Sequence, residues 1–247
     1  MKILFSPSET KISGGEENGF DKNSFIFPEF FEKRLEIINS YNKFLQIASN
    51  DELYRLFGTK KNEIIEKYRI DIFKNPIMKA IKRYEGVAYD YLSYNNLEES
   101  AQKYIDNNVL IFSNLFGVLK ASDKIPDYKL KQGETFLNLK IEKFYNDNFS
   151  NILDEYLQDE DIVDLRAGFY EKFYTIKKPY LTMKFIKDGK VVSHFAKAYR
   201  GEILKTLAQN SINTFDDLMN LELKNLKIEE IKEQKFKREI VYSINQG

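Results

Sequence analysis

Between Ser193 and Gly201 the chain reads Ser-His-Phe-Ala-Lys-Ala-Tyr-Arg-Gly. An alternating apolar run precedes this stretch and a helical pattern follows it. That order places Lys197 and Arg200 on the first turn of a helix, one turn apart and on one side. A helix N-terminus presents unpaired N–H groups and partial positive charge. Two cationic side chains there, with Gly201 permitting close approach, describe an anion site, best suited to phosphate. The competing reading is a basic helix start on the surface. Cations at a helix N-terminus oppose the macrodipole, so the pair is unfavourable unless an anion offsets it.

The same stretch holds His194, the one histidine of the chain. A lone histidine can serve as a general base. On an alternating strand beside Phe195, a structural role is the commoner outcome. Ser6, His194 and an aspartate would complete a hydrolase triad on paper, but Ser6-Pro7 lacks the glycines of a nucleophile elbow. One His and no Cys leave no usual ligand set for a transition metal and no thiol chemistry. No metal and no cofactor are therefore expected.

Ser6, Lys11, Lys120, Lys129 and Arg166 also fall at the ends of expected elements. Strand ends of a sheet commonly converge on a binding crevice. If these residues converge with His194, Lys197 and Arg200, one cleft gathers the cations that a reader of phosphate backbone needs. Taken singly, Lys120 and Lys129 read as surface lysines. Tyr84, Tyr89, Phe116 and Tyr128 can stack on bases. In a chain with 20 Phe and 16 Tyr, core packing is the default for each.

The elements that must position these groups follow from periodicity and turn chemistry. Residues 2–6 form a strand that Pro7 stops. Residues 12–27 read as a loop. From Pro28 a helix places Phe30, Phe31, Leu35, Ile38 and Tyr41 at spacings of three and four. Asn50–Phe57 and Asn62–Tyr68 form two helices around Gly58-Thr59-Lys60-Lys61. That is the outline of a helix-hairpin-helix, whose turn offers N–H groups to a phosphate. An ordinary helical corner fits the same residues. Further helices are expected over 76–84, 97–107 and 197–210, and one or two over 136–157. Strands are expected over 109–112, 162–165 (delivering Arg166) and 236–244. Two more, 180–186 and 190–195, are joined by the hairpin turn Asp188-Gly189. Few short strands among many helices give an α+β (mixed α/β) class, with a central sheet wrapped by helices. No composition break divides the chain, so 1–247 reads as a single domain.

Lys plus Arg and Asp plus Glu number 38 each, a formal net charge of zero. The whole molecule is therefore no polycation, and a nucleic-acid role must rest on a local patch. No apolar run reaches the length of a membrane span, and Met1–Pro7 is too short for a signal peptide. A cytoplasmic monomer without a membrane partner is expected.

Several segments together resemble one family. Ile3-Leu4-Phe5-Ser6-Pro7-Ser8-Glu9-Thr10 resembles its N-terminal signature. Leu115-Phe116-Gly117-Val118-Leu119, followed by Asp123, Ile125, Tyr128 and Leu130, resembles its central one. Val163-Asp164-Leu165-Arg166, Ser193-His194-Phe195 and Lys197-x-x-Arg200-Gly201 resemble its late motifs. These are the bacterial peroxide-stress proteins of the YaaA type. The resemblance spans nearly the whole chain. It implies a compact domain with a positively charged cleft and a helix-hairpin-helix, DNA binding, and a role in limiting iron-dependent oxidative damage. It implies no assigned catalytic chemistry. Glu9 stands where a Lys can stand in the family, and Asp164-Leu165-Arg166 where others carry Asn-Leu-Ala, so the charge of the cleft is redistributed. Two functions follow as expectations. One is a DNA-binding protein of the oxidative-stress response, largely indifferent to sequence. The other is an enzyme acting on a nucleotide or nucleic acid, with Ser6, Glu9 and His194 near the phosphate.

Overall fold

Val109-Leu110-Ile111-Phe112-Ser113 is buried at every position, the signature of a strand covered on both faces. The computed structural model describes residues 1–16 and 19–244, all but Ser193 and His194 with their side chains. Among them, eight strands make one sheet. They are β1 (Lys2–Phe5), β2 (Val109–Ser113), β3 (Gly117–Lys120), β4 (Ile162–Asp164), β5 (Tyr180–Lys187), β6 (Lys190–Val191), β7 (Leu226–Glu233) and β8 (Lys237–Ile244). The order is β7-β8-β5-β4-β1-β2-β3, with β6 added on β5. Strands β8, β5, β4, β1 and β2 run parallel. Strands β3, β6 and β7 are antiparallel to their neighbours. A parallel centre gathers the strand C-termini along one edge, where crevices of such sheets lie. Phe5 and Asp164 end β1 and β4 there.

Helices α1 (Phe31–Ile47), α2 (Asn50–Phe57), α3 (Asn62–Tyr68), α4 (Val87–Leu92), α5 (Glu99–Asn108), α6 (Ile141–Leu157) and α7 (Ser193–Gln209) surround the sheet. The mixed α/β class expected from the pattern is the one observed. In α1 the buried residues Ile37, Ile38, Tyr41, Phe44 and Leu45 recur at helical spacing, which is how an amphipathic helix meets a core. Met1 to Tyr242 contribute to one hydrophobic cluster. No helix among the described residues is long and apolar enough to cross a membrane.

Two expectations change, and one strand is unforeseen. The Asp188-Gly189 turn forms with both residues at positive φ, but β6 stops at Val191 and α7 begins at Ser193. The alternation through Phe195 loses to the helix-forming run Ala196-Lys197-Ala198, which draws the helix back by a turn. Residues 76–84 divide into a strand, Ile77–Lys79, and a four-residue helix, Ala80–Arg83. Leu226–Glu233 is a strand that its composition hid. It lies at the sheet edge with most side chains in water, so no apolar face marks it.

The α2–α3 pair and its Gly turn are present, and Gly58 closes α2 at φ 66°. The turn spends its own donors. Gly58 N–H bonds the Arg55 carbonyl at 3.2 Å and Thr59 N–H the Tyr54 carbonyl at 3.2 Å. Lys61 N–H bonds Thr59 Oγ1 at 3.3 Å. Three of the N–H groups that a phosphate-gripping hairpin would offer are thus engaged.

Gly201 does permit a close approach, but to protein. A Cβ built there would lie 1.9 Å from the Ala88 carbonyl oxygen, so any side chain would push α7 off α4. Behind the sheet edge, the buried Arg83 guanidinium donates to the carbonyls of Ile12, Gly14, Pro76 and Ile125. It anchors the segment after β1, whose Thr10–Lys11 pairs with Tyr84–Glu85.

Candidate phosphate-binding site

A cavity of about 520 Å³ opens where β1 and β4 end. The turn Ser6–Thr10 forms one wall, and Leu165 and Ala167 follow from β4. Gly86–Tyr89, at the start of α4, faces them, with Tyr170, Gln132 and, from α7, Lys197 and Arg200. Ser6 ties the walls together. Its Oγ accepts the Ala167 N–H at 2.8 Å, and its carbonyl accepts the Tyr89 hydroxyl at 2.8 Å.

Arg200 is the most consequential charge. Burial lowers its pKa, against the pull of Asp164 and Glu171. No hydrogen bond or ion pair to a described residue engages its guanidinium. A half-buried cation with no acceptor among the described residues favours an anionic ligand. Lys197 lies beside it in the cavity wall, exposed to water. Because α7 begins at Ser193, the two residues sit in its second turn, not its first. The helix dipole therefore adds little to what Arg200 itself brings to the cavity wall.

The other expected residues divide. Lys11 is 8% exposed and lies under the Ser6–Thr10 turn. Its Nζ donates to the Ser8 carbonyl at 3.2 Å and the Glu9 carbonyl at 3.3 Å, and rests 3.9 Å from the centroid of the Tyr128 ring. Burial pulls its pKa down to about 7, with Asp127 acting upward and Lys129 downward. It shapes the wall and does not face the ligand space. Arg166 is removed from the cleft. Its Nε and Nη2 grip Asp164 at 2.9 and 2.8 Å, and Nη1 bonds the carbonyls of Tyr170 and Tyr174. Its guanidinium carbon also lies 4.5 Å from the Phe112 ring centroid. The side chain is buried and its charge already matched.

Lys120 lines a different cavity, with Asp123 and Tyr156. The hairpin β2–β3 pairs it with Leu110, below the strand end that carries Ser6. Lys129 is half-buried in the segment whose carbonyl accepts the Tyr41 hydroxyl. The side chain of His194 lies outside the described residues. Ser6, Lys197 and Arg200 are thus the members of the expected set that line one cavity. Of the aromatic candidates Tyr89 lines it. Tyr84 and Tyr128 share a buried hydroxyl chain with Ser113, at 3.0 and 2.8 Å, and Phe116 is core.

The pattern of spacings did not point to Tyr170 or Gln132 in this wall. Gln132 N–H bonds Glu9 Oε1 at 2.9 Å, a contact between distant parts of the chain. Glu9 was visible within the Ser6 motif.

The sequence model of the family described as "Peroxide stress protein YaaA" matches residues 1–232. An uncharacterised protein of Campylobacter jejuni is 49% identical over 244 residues, covering 99% of each chain. A member of an uncharacterised protein family from Corynebacterium glutamicum is 34% identical over 238 residues, covering 90% of this chain and 91% of its own. A like member from Fusobacterium nucleatum is 30% identical over 235 residues, with the same coverage. The match runs through every wall of the cavity, from Ser6 to Arg200, and the chain belongs to the YaaA family of peroxide stress proteins.

Proposed function

We propose that this protein binds DNA by its phosphates at the Ser6–Lys197–Arg200 cleft during peroxide stress, and so helps limit iron-dependent oxidative damage. The observation that carries the reading is Arg200, half-buried in the cavity wall and without an acceptor among the described residues. Membership of a peroxide-stress family supplies the setting. Iron and peroxide generate radicals that attack nucleic acid, and a protein seated on the backbone shields what it covers. Contacts to phosphate carry no base information, so binding through them is largely indifferent to sequence.

The test is affinity for labelled duplex and single strands across salt. Two cations on two phosphates give a slope of log affinity on log salt near −2, or about a tenfold loss from 50 to 200 mM. A flat response, or no binding at low salt, overturns the reading. The size of the cavity, about 520 Å³, favours a second function in the same cleft: an enzyme acting on a nucleotide or nucleic acid, since pockets of this volume hold small ligands. Turnover of such a substrate would decide for it.

A further inference from the structure

The cleft contains a carboxylate as well as cations, and a reader of phosphates alone has no use for one. Glu9 lines the cavity with Lys197 and Arg200. Its Oε1 is held by the Gln132 N–H at 2.9 Å, which fixes the group while leaving Oε2 and the remaining lone pair of Oε1 for a ligand. The charges are also sorted. The charged neighbours of Arg200 are Asp164 and Glu171, whereas Glu9 acts on Lys11 and Tyr170. Tyr89 and Tyr170 border the same space. The Tyr89 ring is braced edge-on by Phe5, with centroids 5.6 Å apart and planes at 78°. A ligand that matches this lining combines an anionic group, a flat apolar face and a hydrogen-bond donor edge.

We infer that the cavity receives one guanine nucleotide unit, its phosphate on Arg200, Lys197 and Ser6, its base beside Tyr89 and Tyr170, and its pairing edge on Glu9. This rests on the phosphate reading of the same cleft. The choice of base follows from donor patterns. Guanine places two adjacent N–H donors, N1–H and N2–H, on its pairing edge. A carboxylate offers two acceptors in the matching fork. Adenine and cytosine offer one amino group beside a ring-nitrogen acceptor, which faces a carboxylate unfavourably. Thymine sets one N–H between two carbonyls. The cavity is too small to enclose a duplex, so the unit is either a free mononucleotide or a residue at the end of, or turned out from, a strand.

The experiment measures binding of GMP, IMP, AMP and CMP to the full chain by calorimetry. In parallel it measures 5′-phosphorylated single strands that differ only in a terminal G or A. The expected result is GMP at least tenfold tighter than AMP or CMP, with IMP, which lacks the N2 amino group, between them. Glu9→Gln keeps an acceptor for the Gln132 N–H but loses the charge and one acceptor. It should bring GMP to the level of AMP while AMP changes less than twofold. A guanine preference confined to the strands, and lost in Glu9→Gln, supports the inference with the strand as the source. Equal binding of G and A in both arms, or a preference that Glu9→Gln leaves intact, overturns it. If Arg200→Ala still weakens duplex binding in that case, the phosphate reading stands. If Arg200→Ala changes nothing for any ligand, the phosphate reading falls as well.

Discussion

Replacing Arg200 with alanine separates a ligand-binding cation from a structural one. A structural arginine has partners to lose, whereas Arg200 makes no hydrogen bond or ion pair with a described residue. Its removal therefore leaves no carboxylate stranded, and it relieves the burial that lowers its pKa. The melting temperature should hold or rise slightly. Binding is another matter. A charge-assisted hydrogen bond to a partly desolvated group is worth about 1.5–3 kcal/mol, which is about 10- to 150-fold in dissociation constant. Lys197 is exposed, so its contact is worth ~1 kcal/mol or less, a further severalfold. The control is Lys224→Ala with Lys227→Ala, two exposed lysines at the β7 edge. Anisotropy of a labelled duplex at low salt, with thermal melts on the same samples, reads both effects. Arg200→Lys should recover only part of the loss, because a point charge cannot grip phosphate with two donors. Equal binding by the Lys197/Arg200 and control double variants refutes the reasoning. So does a loss of affinity that appears only where the protein unfolds.

Arg166→Met should cost about 3–5 kcal/mol in urea unfolding, because it strands a buried carboxylate. Replacing Asp164 with Asn in the same chain should recover part of that cost, and no recovery would mean that the pair is not the source of the loss. Lys11 gives a pH signature. Its folded pKa of about 7 lies below the ordinary value of 10.5, so between those limits the unfolded chain binds more protons and stability rises with pH. Relative to Lys11→Met, the parent should gain urea midpoint between pH 7 and 10, and parallel curves would refute the buried, depressed lysine.

Much of this was legible where one local cause sets the outcome. The apolar run Val109–Phe112 reads as a strand and is one covered at every position. Arg166 reads as a cleft cation from its place at a strand end, although the signal against it lies two residues before. Residues two apart on a strand face the same side, so Asp164 was already placed to take it. The start of α7 was misread because Val191–Phe195 satisfies a strand alternation until the helix-formers beyond it are weighed. What no local pattern carries is register and long-range pairing. The antiparallel turn into β3 brings Lys120 back to the level of Leu110, away from Ser6. The contact of Glu9 with Gln132 joins segments that sequence spacing leaves unrelated.

A chain with zero net charge can present the proposed anion site only by withholding counter-charges from it. Arg83 is buried and satisfied by carbonyls, which quench its donors without spending a carboxylate. Arg34, wholly buried, donates Nη2 to the Ile26 and Val118 carbonyls and lies 4.7 Å from the Phe149 ring centroid. Asp164, outside the cavity lining, is the first carboxylate to act on Arg200. It acts on Arg200 from a distance, but both its oxygens are held by Arg166. On the proposed reading, Arg166 works on the site without entering it, by keeping Asp164 from neutralising Arg200. It follows that Arg166→Met should weaken phosphate binding as well as stability, since the freed carboxylate turns repulsive toward the ligand and attractive toward Arg200. Arg166→Met with Asp164→Asn should restore affinity more fully than stability, because the asparagine removes the competing charge but cannot rebuild the bidentate pair. If the double variant recovers the fold but not the affinity, Arg166 contacts the ligand itself and the division of labour drawn from its buried geometry is wrong.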